Sequence, residues 1–138
     1  MSVIDSLRES LSNARAQLAA ARQQADTYRA TADKIGGVYE ELAEKKKNME
    51  TRKRELEDFE DETYDSWKGT LWKEDYKNEV EKVVTSYDTV IDNIDTNLDR
   101  LNLEKTRYEN LANACYGLAG RLASTVNSLI AQIENCVN

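Results

Sequence analysis

The chain has 138 residues, 26 acidic against 19 basic side chains, a net charge of −7, and neither proline nor histidine. Without histidine it lacks the commonest general base, the base of the usual acyl-transfer triad and the commonest metal ligand. Its acidic balance argues against a protein that tracks nucleic-acid phosphates, whose footprint is basic. No proline and only five glycines leave few breakers for a turn-rich strand fold. One soluble, helical, non-catalytic domain that needs no metal or other cofactor is the expectation at this length.

The N-terminus, MSVIDSLRES, has an early acid and no apolar run, so no cleavable secretory signal is read there. The first arm follows. Ile4, Leu7, Leu11, Ala14, Leu18, Ala21, Ala25, Tyr28, Ala32, Ile35, Tyr39 and Leu42 alternate in steps of three and four. That spacing is the seam of a heptad repeat. Met49 and Leu56 keep its phase, while Lys46 and Lys53 occupy the intervening seam positions. Gly36-Gly37 lies inside the pattern. Each glycine costs a helix about 1 kcal/mol relative to alanine, which predicts a kink or soft point there.

An acid-rich stretch, ELEDFEDETYDSWKG, precedes the second arm and carries Gly69; Asp65 or Ser66 is a candidate to start a turn there, and Thr70 to cap the next helix. The second apolar series runs Trp72, Tyr76, Val80, Val83, Tyr87, Val90, Ile94, Leu98, Leu101, then past Lys105 through Tyr108, Leu111, Cys115, Leu118, Leu122, Val126, Leu129, Ile133 and Cys136. Its mean step near 3.6 predicts a long helix whose seam drifts slightly. The longest charge-free runs include residues 122–133, far short of the roughly 20 apolar residues of a membrane span.

An isolated helix with one apolar stripe must bury it, and the other arm is the nearest partner. The expected fold is therefore all-α: a long antiparallel two-helix hairpin, coiled-coil-like, forming a single domain over residues 1–138. Arm one is expected over about 2–62, the bend at about 63–70 and arm two over about 71–137, with facing residues summing to about 135. Cys115 and Cys136 lie three heptads apart on one helix, about 30 Å, too far for a disulfide within the chain. They read as small buried hydrophobes or as partners of an intermolecular disulfide.

Charge is unevenly spread. Residues 36–66 hold eleven acids and six bases, whereas residues 110–138 hold only Glu134 and Arg121. Beside its seam, that charge-poor segment carries a second stripe of Ala112, Tyr116, Ala119, Ala123, Ile130 and Val137. Either this stripe docks onto further helices, its own or a partner's, or it is mostly alanine that tolerates exposure. Gly117 and Gly120, with Ala114 and Ala119, are expected to meet Ala14 to Ala21 at close backbone approach. Arg8, Arg15, Arg22 and Arg29 recur every seven residues at an e-type position, and Asp88, Asp92, Asp95 and Asp99 form an acidic row. These rows fit a solvated coiled-coil flank or a charged rim that selects a partner.

At the expected bend, near residues 65–70, stands Trp67-Lys68-Gly69. A glycine there can supply the positive φ of a tight turn, and the tryptophan can cover the tip; a purely structural role suffices. With this motif between two heptad arms, and Ser86-Tyr87-Asp88-Thr89-Val90-Ile91-Asp92 in the second, the chain resembles the Trp-x-Gly superfamily of helical-hairpin proteins of type VII secretion. The resemblance is greatest to the small helical proteins associated with LXG-domain toxins. The family's export signal, an aromatic followed four residues later by an acid, does not occur here: Phe59 is followed by Thr63 and Tyr87 by Ile91.

The resemblance implies a non-enzymatic adaptor or targeting chaperone. Such a protein binds the helical N-terminal LXG domain of a toxin in the cytoplasm and promotes its export, with a second small helical protein and the secretion machinery as further partners. It implies neither nucleic-acid binding nor membrane insertion, and it allows secretion together with the toxin. The alternative is a secreted Trp-x-Gly-like effector or structural coiled-coil protein acting as a homodimer. Under the adaptor reading, Ala112, Tyr116, Ala119, Ala123, Ile130 and Val137 form the partner interface, rimmed by Arg8, Arg15, Arg22 and Arg29.

Overall fold

A computed structural model of the chain describes residues 2–66 and 76–137, with side chains described for 2–60 and 76–137. Among these residues there are two helices and no strand: α1, Val3–Ser66, and α2, Lys77–Val137. The two pack against each other as a helical hairpin. The Trp67-x-Gly69 turn and the predicted start of arm two, with Thr70 and Trp72, lie outside the described residues.

Ser2 caps α1. Its hydroxyl accepts the Asp5 amide at 3.1 Å and donates to the Asp5 carboxylate at 2.8 Å, a reciprocal arrangement that satisfies one of the free amides of the first turn. The helix continues unbroken through Gly36 and Gly37, and no described glycine has positive φ. Arm one is thus one helix. It also runs to Ser66, into the stretch expected to bend, because no helix breaker stands before Gly69 and the acidic run is built largely of good helix formers. Threonines and serines inside the helices turn their hydroxyls onto the carbonyl four residues back, as Thr27 does to Gln23 at 2.9 Å and Thr85 to Glu81 at 2.9 Å.

The chain divides into two compact units to which both helices contribute: Met1–Lys34 with Glu104–Asn138, and Ile35–Leu103. The core of the first unit is almost entirely alanine. Ala14, Ala21, Ala25 and Ala32 on α1 and Ala112, Ala119 and Val126 on α2 are buried. Tyr28 and Tyr108 meet beside them with ring centroids 6.0 Å apart. Arg107 lies over the Tyr108 ring at 4.7 Å while its guanidinium donates to Glu104 at 3.0 Å. In the second unit only Leu98 is fully buried among the described residues, flanked by half-buried Leu42, Met49, Leu56, Tyr87, Ile91 and Ile94.

Burial re-phases the seam of α2. Its inward positions are Val80, Val84, Tyr87, Ile91, Ile94, Leu98, Leu101, Lys105, Tyr108, Ala112, Cys115, Ala119, Leu122, Val126, Leu129 and Ile133. That is a strict three–four alternation, identical in kind to α1, rather than a drifting 3.6 repeat. Val83, Val90 and Leu118, expected in the seam, are 45%, 41% and 43% exposed. Half-buried Leu111 also gives way to its neighbour Ala112. The glycines likewise leave the contact. Gly117 and Gly120 are exposed, and a Cβ built on either meets nothing within 4 Å. The close-approach positions are the buried alanines themselves.

Candidate interaction surface

A seven-residue repeat with two inward positions leaves two flanks beside the seam, one on each side of the facing helices. In the first unit, α1 places Arg8, Arg15, Arg22 and Arg29 on one flank, one residue after Leu7, Ala14, Ala21 and Tyr28. The equivalent positions of α2 are Tyr116, Ala123, Ile130 and Val137. The pairing of the two rows is seen in one shallow groove, lined by Arg22, Asp26, Tyr116, Ala119, Gly120 and Ala123.

Four of the six expected α2 interface residues therefore share this flank. Tyr116 is 41% and Val137 64% exposed, and Ala123 and Ile130 are half-buried. Ala112 and Ala119 do not join them. They are 0% and 6% exposed, turned into the alanine seam, so they are unavailable to a partner while the hairpin is packed. Leu111 and Leu118 share the three–four spacing expected of the seam, but the smaller Ala112 and Ala119 beside them occupy it.

Polar chemistry on the flank is sparse. The Tyr116 hydroxyl donates to the Asp26 carboxylate at 2.9 Å. That hydrogen bond holds the phenol above its ordinary pKa, with burial and the negative charge of Asp26 adding and Arg29 opposing. Among the described residues, none of Arg8, Arg15, Arg22 and Arg29 makes an ion pair within 4.0 Å, and all four are exposed.

In the second unit the charges are used differently. The seam lysines are paired across the helices: Lys46 with Asp95 and Lys53 with Asp88. Each ammonium also reaches the glutamate four residues on, Glu50 at 3.7 Å and Glu57 at 3.6 Å. The hydrogen bond to its aspartate is the main reason each lysine sits above its ordinary pKa of 10.5, with partial desolvation opposing. Two members of the Asp row thus close onto the seam, while Asp92 and Asp99 stay exposed. Lys105, the third seam lysine, reaches only Glu109 of its own helix at 3.8 Å.

Facing pairs sum to 136 in the first unit, Tyr28 with Tyr108, and to 141 in the second, Lys46 with Asp95, against the expected 135, so the register of the second unit is off by almost a heptad. The second unit also has a flank that sequence reasoning missed. Val83 and Val90, with Met49, Ser86 and Tyr87, line an apolar groove, and Phe59 and Val38 are 54% and 50% exposed. A strict three–four alternation counted back from Leu98 places Val83 and Val90 outside the seam.

Cys115 is half-buried and Cys136 exposed, both as free thiols. Among the described residues no group of acidic or cysteine side chains is placed to hold a metal ion, and no helix is long and apolar enough to cross a membrane. No family model matches the chain, and neither a curated protein nor a solved structure matches it.

Proposed function

We propose that this protein is a non-enzymatic adaptor that binds the helical N-terminal LXG domain of a type VII secretion toxin and promotes its export. The observation that carries the reading is the flank of the first unit. It combines an apolar row (Tyr116, Ala123, Ile130 and Val137) with four exposed arginines that have no carboxylate partner among the described residues. A two-helix protein that leaves such a face uncovered is suited to receiving further helices, and an LXG domain is itself long and helical. Apolar contact supplies the affinity and the arginine rim the choice of partner. The resemblance around Trp67-Lys68-Gly69 supplies the identity of that partner, a second small helical protein and the secretion machinery being further ones.

The test is a size measurement. The purified chain is examined by light scattering alone and after co-expression with LXG domains of type VII toxins. A monomer converted to a 1:1 complex supports the adaptor. A stable homodimer unaffected by any LXG domain overturns it in favour of the self-associating effector.

A further inference from the structure

We infer that the first-unit flank is built for a partner helix that carries a carboxylate at every seventh residue beside an apolar stripe, and that the arginine row reads those carboxylates. The inference names the chemistry of the partner and rests on the adaptor reading only for which protein supplies it. Arg8, Arg15, Arg22 and Arg29 repeat at about 10 Å along α1, the rise of seven helical residues. Tyr116, Ala123, Ile130 and Val137 repeat at the same interval along α2. Two rows with one heptad period, one cationic and one apolar, match a single ligand class: a helix whose own repeat is seven.

Two other occupants fit less well. Each strand of a nucleic-acid duplex presents a phosphate about every 3.4 Å of helix axis, not every 10 Å, and has no use for the apolar row. A second copy docked by the same flank would bring four more arginines, while its one groove-lining carboxylate, Asp26, already accepts the Tyr116 hydroxyl; docked by its acidic row, it offers only two exposed aspartates at that spacing, Asp92 and Asp99, for four arginines. An acidic heptad helix satisfies every guanidinium without adding to the arginines.

The experiment uses the full chain and two probes. The first is a pair of designed four-heptad helical peptides, one with Glu at every seventh position and one with Lys there, on the same Leu/Ala stripe. The second is an LXG domain that binds the wild-type chain. The variants are the quadruple Arg→Glu at 8, 15, 22 and 29 and the milder quadruple Arg→Gln. Because these side chains are exposed, circular dichroism is expected to show both folded.

Wild type is expected to prefer the Glu peptide over the Lys peptide. The Arg→Gln variant should weaken Glu-peptide and LXG binding by ~10-fold or more, and Arg→Glu should invert the peptide preference. Glu-peptide binding that ignores both variants overturns the inference, as does self-association or duplex DNA binding through the same arginines. An LXG domain that binds wild type and both variants equally overturns the inference and leaves the adaptor reading standing. A charge-dependent peptide preference with no LXG domain bound does the reverse.

Discussion

Replacing Ala112 with leucine tests the alanine seam directly. Ala112 has no exposed surface, and the α1 seam of the same unit is itself built of buried alanines, Ala25 at 0% and Ala32 at 1%. Two opposing effects decide the sign. If the helices could separate freely, a leucine would gain up to about 2 kcal/mol of apolar burial. If the approach is fixed by alanines on both sides, the added carbons have nowhere to go, and overpacking costs about 1–3 kcal/mol. Burial of the seam alanines on both helices favours the second. Ala112→Leu should therefore destabilise by about 1–3 kcal/mol, a fall of about 3–12 °C in Tm at this chain length. Ala114→Leu, two residues away on the exposed face, should change stability by less than about 0.5 kcal/mol. Urea unfolding followed at 222 nm gives both numbers, with light scattering to confirm an unchanged oligomeric state. An Ala112→Leu variant as stable as wild type, or more so, would show that the helices do not meet there through alanine.

Three further outcomes are expected. Gly37→Ala and Gly117→Ala should each stabilise by about 0.5–1 kcal/mol, since both glycines are helical and a Cβ on either meets nothing within 4 Å; a loss of stability in urea melts would place an unseen contact at those Cβ positions. The raised pKa of Lys46 and Lys53 makes their contribution complete below the ordinary lysine value of 10.5 and lost as pH rises through the folded-state value. The urea midpoint should accordingly fall on the alkaline side, and less steeply in Asp88→Asn/Asp95→Asn; equal slopes would exclude the two pairs as the cause. Finally, Asp26→Ala should lower the titration of Tyr116 toward the ordinary tyrosine value of 10.0, read at 295 nm as a difference against Tyr116→Phe. An unchanged curve would mean the phenol is held up by burial alone.

The α1 seam was legible from its three–four spacing except at Tyr39, which is expected there and is 36% exposed. The hairpin followed from having two such arms and no other place to bury them. In α2 the pattern was ambiguous, since Val83 stands beside Val84, Val90 beside Ile91, Leu111 beside Ala112 and Leu118 beside Ala119. Choosing the larger residue is sound for a thick core and fails here, where close approach selects the small one. The α1 seam already contains that signal: Ala14, Ala21, Ala25 and Ala32 require a small partner. The cross-helix lysine pairs were written in the sequence too, as two lysines and two aspartates each seven apart, but recognising them required a register accurate to a few residues. The arginine flank was legible as a row; its apolar companion was legible only in part, because two of the six residues assigned to it belong to the seam.

The paired lysines have a consequence for alignment. A heptad seam repeats every seven residues, so apolar contact alone scarcely distinguishes the correct pairing of two such helices from one slid by a full repeat. In the second unit the correct alignment seats both Lys46 on Asp95 and Lys53 on Asp88. Sliding one way seats Lys46 on Asp88 and Lys53 on Glu81 and strands Asp95, while sliding the other way seats Lys53 on Asp95, brings Lys46 opposite Asn102 and strands Asp88. The polar steps therefore work like the marks of a vernier, counting residues where the apolar repeat merely recurs: only the observed alignment leaves both aspartates on a lysine.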